Sequence, residues 1–578
     1  MPDSNPVDIF RLAITEQVSA LTGVAPGVVF AAIDSPRDPA LADLAIAVPR
    51  LHIRGNLALE MVSKFRTNEY ITSATLSGPF FNFTINHDRL RSLTFAQIHA
   101  SGANYGHNAS GADKRAVVEF SSPTIGKPFH ADHLRSTIIG NFTRNALKVN
   151  GWDTVAMNHV GDWPAGKHQG MLAAGFARYG DETKLKADPV RHLVDVYVQI
   201  SRDDETGSPT VHDEAAAWCK RIESGEVDAR RLWQRFRDVS MAKYREIYAR
   251  LGIEFDAYSG ESQVGTDQLA AVVHCMREKD LLKRDDGALI VDLTADKLGV
   301  AVVQKSEDNT YSYLARDLGH TIARNDQYAF DAMYYVVDTR HDLHFRQLFR
   351  ILERLEFPWA KSLVHLGFGR ATFQTLRRGN VVWIDDMLDK AQEAMLEVVK
   401  RRNQAKDAET VDPERVADQL GLSAIVVQES RRRRGMDYAF DWDRILAFEG
   451  DTGPYLQLMH ARLCSSIEFK SGLALPYSSD LADLSLLTEP AAKSLVMQLA
   501  QFPDLVRALP TNGFEPINIT TYLFKLCHTV SSALGTMDVV RQKENEPTKR
   551  ARTLLLWSAR VVLGNGLRLL GLRPLERI

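Results

Sequence analysis

One stretch constrains the fold more than any other. Arg115-Ala116-Val117-Val118-Glu119-Phe120 reads as a short strand, and a loop runs from Ser121 to His130. A helix then starts near Asp132 or His133. Leu134, Ile138, Ile139, Phe142 and Leu147 recur at near-helical spacing, and Gly151 stops it. Asp153-Thr154-Val155-Ala156-Met157 is the next strand. Strand, loop, helix and strand make a βαβ unit, the building block of a doubly wound parallel sheet. Tyr334-Tyr335-Val336-Val337-Asp338 predicts a further strand of that sheet.

The remaining chain falls into place around this unit. Its 578 residues suggest about three or four domains, at roughly 100–200 residues each. Residues 1–112 read as an α+β unit, with a helix over Val7 to Leu21 and strands at Ala74–Ser77 and Phe80–Ile85. A loop rich in Gly, Ser and Asn follows and marks the first boundary. Residues 113–380 form the α/β unit, with a mostly helical insertion near 165–280. Residues 381–578 carry few strand signals. The helices expected there, Asp386 to Arg402, Ala491 to Leu509 and Leu554 to Gly564, predict an all-α bundle.

Charge and cysteine usage narrow the function. Seventy basic and 73 acidic residues exclude a polybasic binder but not a local basic face for RNA. The four cysteines have no metal-ligand spacing, so no metal site is expected, and their sparseness fits a reducing compartment. The N-terminus lacks a basic stretch followed by an apolar core, and no apolar run reaches about 18 residues. A cytoplasmic protein without a membrane partner is expected.

Chemistry concentrates in Pro128-Phe129-His130-Ala131-Asp132-His133-Leu134-Arg135, between the first strand and the first helix. A helix start attracts phosphates through its unpaired N–H groups and dipole, and histidines three apart can reach one anion together. Two stretches in this region, Val118-Glu119-Phe120-Ser121-Ser122-Pro123 and Lys127-Pro128-Phe129-His130, resemble the signature loop of class I arginyl-tRNA synthetases, most of all the fungal type. Tyr258–Val264, Tyr313-Leu314-Ala315-Arg316-Asp317, Phe448–Gln457 and Leu569–Arg577 agree with that family too, so the resemblance spans the chain. It implies an N-terminal domain that binds the tRNA elbow, a class I Rossmann catalytic domain and a helical anticodon-binding domain. It further implies that Glu119, Tyr313 and Asp317 hold an arginine side chain, since a carboxylate accepts a bidentate pair from a guanidinium.

Several positions depart from the family pattern. The histidine signature carries Asp132 where the family has glycine. A unit charge about 4 Å from a phosphate would cost about 4 kcal/mol at an effective dielectric near 20. The second adenylation loop aligns with Gln374–Gly379 and retains charge in Arg377 and Arg378. Together with Lys127 and Asp132 these form an altered nucleotide or tRNA-end site. The groups that hold the α-amine in the family align with Thr124 and His341. His130, His133, Thr124 and His341 are therefore the catalytic candidates, with Ser121, Ser122 or Thr124 as nucleophiles in a covalent variant. Gly161–His168 carries two extra residues. Leu534 and Asp538 replace aromatic positions of the anticodon domain, and Arg431–Arg434 could clamp RNA phosphates.

These departures make a tRNA-dependent cyclodipeptide synthase the leading expectation, similar to fungal arginine-containing synthases derived from the same family. Such an enzyme would join arginine from Arg-tRNA to a second aminoacyl-tRNA and need no cofactor. The alternative is an arginine–tRNA ligase using ATP and Mg. A non-catalytic tRNA-binding protein is the third reading.

Overall fold

In the computed structural model of the chain, the expected βαβ unit consists of a strand at Arg115–Glu119, a helix at Ala131–Val149 and a strand at Asp153–Val160. The structure describes residues 5–578 apart from 37–40, 54, 164–166, 206–208, 306–309, 374–382, 407–411, 441–444, 448, 468–470, 472, 474–481 and 538–544.

The chain opens with α1 (Pro6–Thr22). Its start is set by Pro6 and by the Asn5 side chain, which accepts from Asp8 N at 2.8 Å. Phe10, Ile14 and Val18, four apart, are fully buried. A four-stranded antiparallel sheet follows, with β1 (Ile33–Asp34), β2 (Leu44–Ala47), β3 (Ile71–Ser77) and β4 (Phe80–Ile85) in the order β1-β2-β4-β3. Phe81, Phe83 and Ile85 alternate into its core. After α2 (His87–Ser101) the α/β unit begins.

Here β5 (Arg115–Glu119), α3 (Ala131–Val149) and β6 (Asp153–Val160) are followed by four helices between Lys167 and Glu223, then α4 (Val227–Leu251). The region expected as a helical insertion is not all insertion: β7 (Ala257–Gly260) lies within it and pairs with β6. This strand has four residues and three of them are only half-buried, so it shows no alternation to read. An antiparallel trio, β8 (Leu282–Asp285), β9 (Ala288–Asp292) and β10 (Val300–Gln304), precedes α5 (Tyr313–Tyr328). Next come β11 (Ala332–Tyr335), α6 (Asp342–Arg354) and β12 (Leu363–His365). The core sheet is parallel throughout, in the order β12-β11-β5-β6-β7. The strand expected over Tyr334–Asp338 starts two residues earlier and ends at Tyr335. Chain order reverses between β5 and β11, so a crevice opens beyond their carboxyl ends.

The last part holds α7 (Ile384–Lys406), α8 (Pro413–Ser430), α9 (Gly453–Ser465), α10 (Pro490–Arg507), α11 (Pro516–Thr536) and α12 (Glu546–Leu569). It is a helical bundle, joined to the α/β unit by a two-stranded parallel ladder of β13 (Ala371–Phe373) and β14 (Tyr438–Phe440). The fold is thus an α/β Rossmann-like domain with helical additions, an α+β N-terminal part and a helical C-terminal domain.

A buried ionic cluster crosses the same junction. Arg135 of α3 is fully buried, 3.7 Å from Glu429 of α8. Its guanidinium donates to Arg434 O at 3.1 Å and lies 5.0 Å from the Tyr438 ring centre, and Tyr438 Oη donates to Glu429. Burial pushes the Glu429 carboxyl up to about 7, with Arg135 opposing. Removing Arg135 takes away that opposition. Arg135→Met should therefore destabilise the protein little below pH 7. Above it the penalty should grow, by up to about 1.4 kcal/mol per pH unit, because the carboxylate must then ionise unaided. Thermal melts from pH 6 to 9 check this; a pH-independent difference would refute it.

Candidate functional site

The loop after β5 is held in an unusual backbone path. Ser121 and Ser122 have φ of 73° and 44°, a left-handed conformation that costs non-glycine residues energy. Hydrogen bonds keep it there. Ser121 N donates to Ser136 Oγ at 2.9 Å, and Ser136 Oγ donates to Val336 O at 2.7 Å, tying β11 to α3. Ser121 Oγ is buried and lies 2.7 Å from both Tyr248 Oη and Thr137 Oγ1. Thr124 pairs with Gly161 as a parallel bridge, and its carbonyl accepts from Tyr244 Oη at 2.8 Å. Lys127 follows on the loop; partial desolvation lowers its ammonium, and Glu261 opposes this.

The histidine pair forms the start of α3. His130 is the N-cap, and its Nδ1 accepts from Asp132 N at 3.3 Å. His133 Nδ1 accepts from His130 N at 3.2 Å, and the rings stack with centres 4.0 Å apart. Burial pushes both down, His133 strongly. Both are thus neutral at pH 7. With each Nδ1 accepting, the network assigns each proton to Nε2, leaving two donors for an anion.

Across the crevice, Asp132 lies 3.6 Å from the Arg340 guanidinium. Arg340 in turn makes a bidentate pair with Asp338 at 2.8 and 2.9 Å. Burial alone would raise Asp338, but this pairing holds it below the usual carboxylate range. His341 is half-exposed, with Nδ1 3.4 Å from Asp338. Asp132 is therefore not a bare charge.

Deeper in, acids converge. Glu119 is buried and already paired with Arg324 of α5 at 2.5 Å; burial still raises its carboxyl. Asp317 accepts from or pairs with His344 Nε2 at 2.7 Å. Glu261, just after β7, is pushed up to about 8 by burial and by the fields of Asp317 and Asp162. Asp162 is fully buried and accepts from Arg237, Ser262 N and Ser262 Oγ at 2.8–2.9 Å. A Cβ on Gly260 would come within 2.3 Å of Asp162, so only glycine fits there. Tyr313 is half-exposed; burial raises its phenol, and Glu261 adds to this. Mutually repelling acids in a partly dry chamber favour a cation. Sequence reasoning singled out the Tyr258–Val264 segment but missed Glu261 as a site residue, and it missed Arg324 as the partner of Glu119.

Other expected residues scatter. Arg434 is internal: its guanidinium donates to Gly367 O and to Gly513 O, and its N–H to Glu515. Leu534 packs against the helical core. Arg377, Arg378, Asp538 and residues 164–166 lie outside the described residues. Among the described residues no group of three or more His, Cys, Asp and Glu side chains is gathered to hold a metal ion. No helix among them is long and apolar enough to cross a membrane.

A parallel sheet with a helix-capping histidine pair at its switch point defines a class I synthetase type of catalytic domain. The family model for tRNA synthetases class I (R), catalytic domain, matches residues 94–442, and the DALR anticodon binding domain matches residues 456–578. The chain belongs to the class I arginyl-tRNA synthetase family. It is 43% identical over 590 residues to the cytoplasmic arginine–tRNA ligase of Saccharomyces cerevisiae, covering 100% of this chain and 96% of that protein. It is 41% identical over 601 residues to a probable cytoplasmic arginine–tRNA ligase of Dictyostelium discoideum, covering 99% and 100%. The mitochondrial arginine–tRNA ligase of S. cerevisiae is 40% identical over 588 residues, so likeness does not select a compartment. The arginyl-tRNA synthetase structure from Plasmodium falciparum superposes with a TM-score of 0.80 at 19% identity, over 100% of both chains.

These relatives overturn the leading expectation. A cyclodipeptide synthase with a second charged tRNA and no cofactor has no counterpart among them, whereas full-length likeness to arginine–tRNA ligases is strong. The charge part of the expectation also changes, because Arg340, although paired with Asp338, partly offsets Asp132. The expected damage from Asp132 assumed an uncompensated carboxylate, and Arg340 stands beside it. Ser121, a nucleophile candidate in that scheme, is buried among hydroxyl partners.

Proposed function

We propose that the chain is an ATP-dependent arginine–tRNA ligase. The observation that carries this reading is the pairing of a neutral histidine cap with a separate chamber of acids, in a chain similar throughout to arginine–tRNA ligases. The arginine carboxylate attacks the α-phosphorus of ATP and expels pyrophosphate, giving an aminoacyl-adenylate. A terminal ribose hydroxyl of tRNA then attacks the carbonyl, and AMP leaves.

In this reading the Nε2–H groups of His130 and His133 donate to phosphate oxygens, stabilising charge without adding a full cation. Lys127 supplies positive charge beside them, Arg340 offsets part of the charge on Asp132, and Arg377 and Arg378 are assigned to the same phosphates. Glu261, Asp317 and Tyr313 receive the guanidinium, with Glu119 held behind them by Arg324, while Thr124 and His341 face the α-amine. Mg would supply charge neutralisation on the triphosphate. It would arrive with the nucleotide. The N-terminal unit to residue 112 is assigned to the tRNA elbow, residues 113–380 to catalysis and 381–578 to the anticodon. A cytoplasmic location fits four cysteines that are all unpaired.

The test is arginine-dependent exchange of pyrophosphate into ATP, with and without tRNA, followed by arginylation of tRNA. Exchange specific for arginine and formation of Arg-tRNA are expected. Folded protein giving neither in the presence of tRNA would refute the reading.

A further inference from the structure

A cavity of about 460 Å³ lies away from the crevice, where the C-terminal half of α3, the end of α4, the start of α8 and the tail after α12 meet. That volume is in the range of small-ligand sites. Five arginines line it, Arg144, Arg250, Arg415, Arg568 and Arg573, against two acids, Glu254 and Asp418. Ion pairs occupy Arg250 and Arg144, the former with Asp418 and Asp389, and leave three arginines against Glu254. Asp418 is committed to Arg250 at 2.9 Å. Arg144 is held by Asp256 at 3.0 Å and by Glu254 O. Arg415, Arg568 and Arg573 make no ion pair among the described residues; Arg568 donates only to Asn565, at 3.0 Å.

The cavity also has a polar floor. Asn141 lines it, is 7% exposed, and its side chain makes no hydrogen bond among the described residues. Its amide atoms open to the cavity rather than being buried without a partner, so they can donate to a bound group. The tail is closed tightly over this floor. Gly571 has φ +82°, and a Cβ there would come within 2.5 Å of Asn141 Nδ2. Desolvation and the nearby Arg560 lower the Arg568 guanidinium, and Glu576 offsets them only in part.

We propose that this cavity is a second anion site, which takes the phosphate groups of a polyanion. Guanidinium forks suit phosphate oxygens, and the Asn141 amide adds a neutral donor. The site is distinct from the crevice: Asn141 stands eleven residues after His130, about 16 Å along the helix axis. It does not depend on the ligase reading. Two sources offer the same chemistry, a free polyphosphate and an RNA backbone. Either would bridge the catalytic helix α3 to the helical domain, since Arg144 and Asn141 belong to the first and Arg415 and Arg573 to the second.

The test compares the full-length protein with Arg415→Gln, Arg573→Gln and the double variant; both side chains are exposed, so the fold should tolerate them. Calorimetric titration with inorganic tripolyphosphate, with the crevice filled by a non-hydrolysable ATP analogue, should show one site in the wild type. The double variant should lose at least tenfold in affinity there. In a second arm, the salt dependence of tRNA binding is measured. If RNA is the source, the slope should fall by about 0.7–0.9 for each phosphate that a substituted arginine no longer neutralises. A change in the first arm alone assigns the site to a free polyphosphate, and a change in the second assigns it to RNA. Variants that retain their thermal stability and match the wild type in both arms would overturn the proposal.

Discussion

Glu261→Gln is expected to raise the KM for arginine by between about 30-fold and a few thousandfold. Truncating one member of a buried charge pair costs about 2–5 kcal/mol, and about 1.4 kcal/mol is a factor of ten. The KM for ATP should change little, because the acid chamber and the histidine cap are separate. The pH dependence gives a sharper readout. With its carboxyl pushed up to about 8, Glu261 is mostly protonated at pH 7 in the free protein. A guanidinium binds the ionised form, so arginine binding should release a proton near neutrality. The KM for arginine should fall as pH rises through about 8 and level off above it; in Glu261→Gln this slope should vanish.

Stability should move the other way. An acid whose folded value lies above its unfolded value of about 4.5 is stabilising when neutral, and that contribution is lost as pH rises through about 8. Without arginine, Glu261→Gln should therefore melt higher than the wild type at pH 8.5, and arginine should protect only the wild type. A variant with normal arginine kinetics and an unchanged pH profile would remove Glu261 from the site.

Arg340→Ala is expected to weaken ATP by about 5- to 100-fold, more at low salt. Without its guanidinium, Asp132 and Asp338 become uncompensated carboxylates beside the nucleotide. Contact at about 4 Å is worth up to about 4 kcal/mol at an effective dielectric near 20. Arg340 is 55% exposed, so solvent screening reduces this. Asp132→Gly in the Arg340→Ala background should recover much of the loss, whereas Asp132→Gly alone should change ATP binding far less. Steady-state KM values for ATP and arginine over this four-member cycle give the coupling directly. Additive effects would mean that Arg340 does not act through Asp132.

Much of the fold was legible in the sequence because its periodicities are local. β5, α3 and β6 follow from apolar spacing within some forty residues, and the helices of the last third from the same signal at longer range. β7 and β14 were not legible. Each has three or four residues, and each becomes a strand only because a partner, β6 or β13, lies beside it. The histidine pair was read as lying near a helix start, but not as its cap: the helix expected from Asp132 or His133 begins at Ala131, with His130 as the N-cap. The acid chamber was read in part. Asp317, Tyr313 and Glu119 came from family likeness, while Glu261 lay in a recognised motif without a role.

By itself, the sequence determined the class of sheet, the helical character of the C-terminal domain and the family. These depend on residue type and spacing along the chain. Charge compensation was decided by the tertiary structure alone. Asp132 and Arg340 are 208 positions apart, and Glu119 and Arg324 are 205 apart. A carboxylate looks the same in a sequence whether it repels a phosphate or is held by a guanidinium. Only the folding of β11 against β5 brings those partners within a few ångströms, where a guanidinium offsets part of a carboxylate's charge, although at Glu119 burial still has the larger effect.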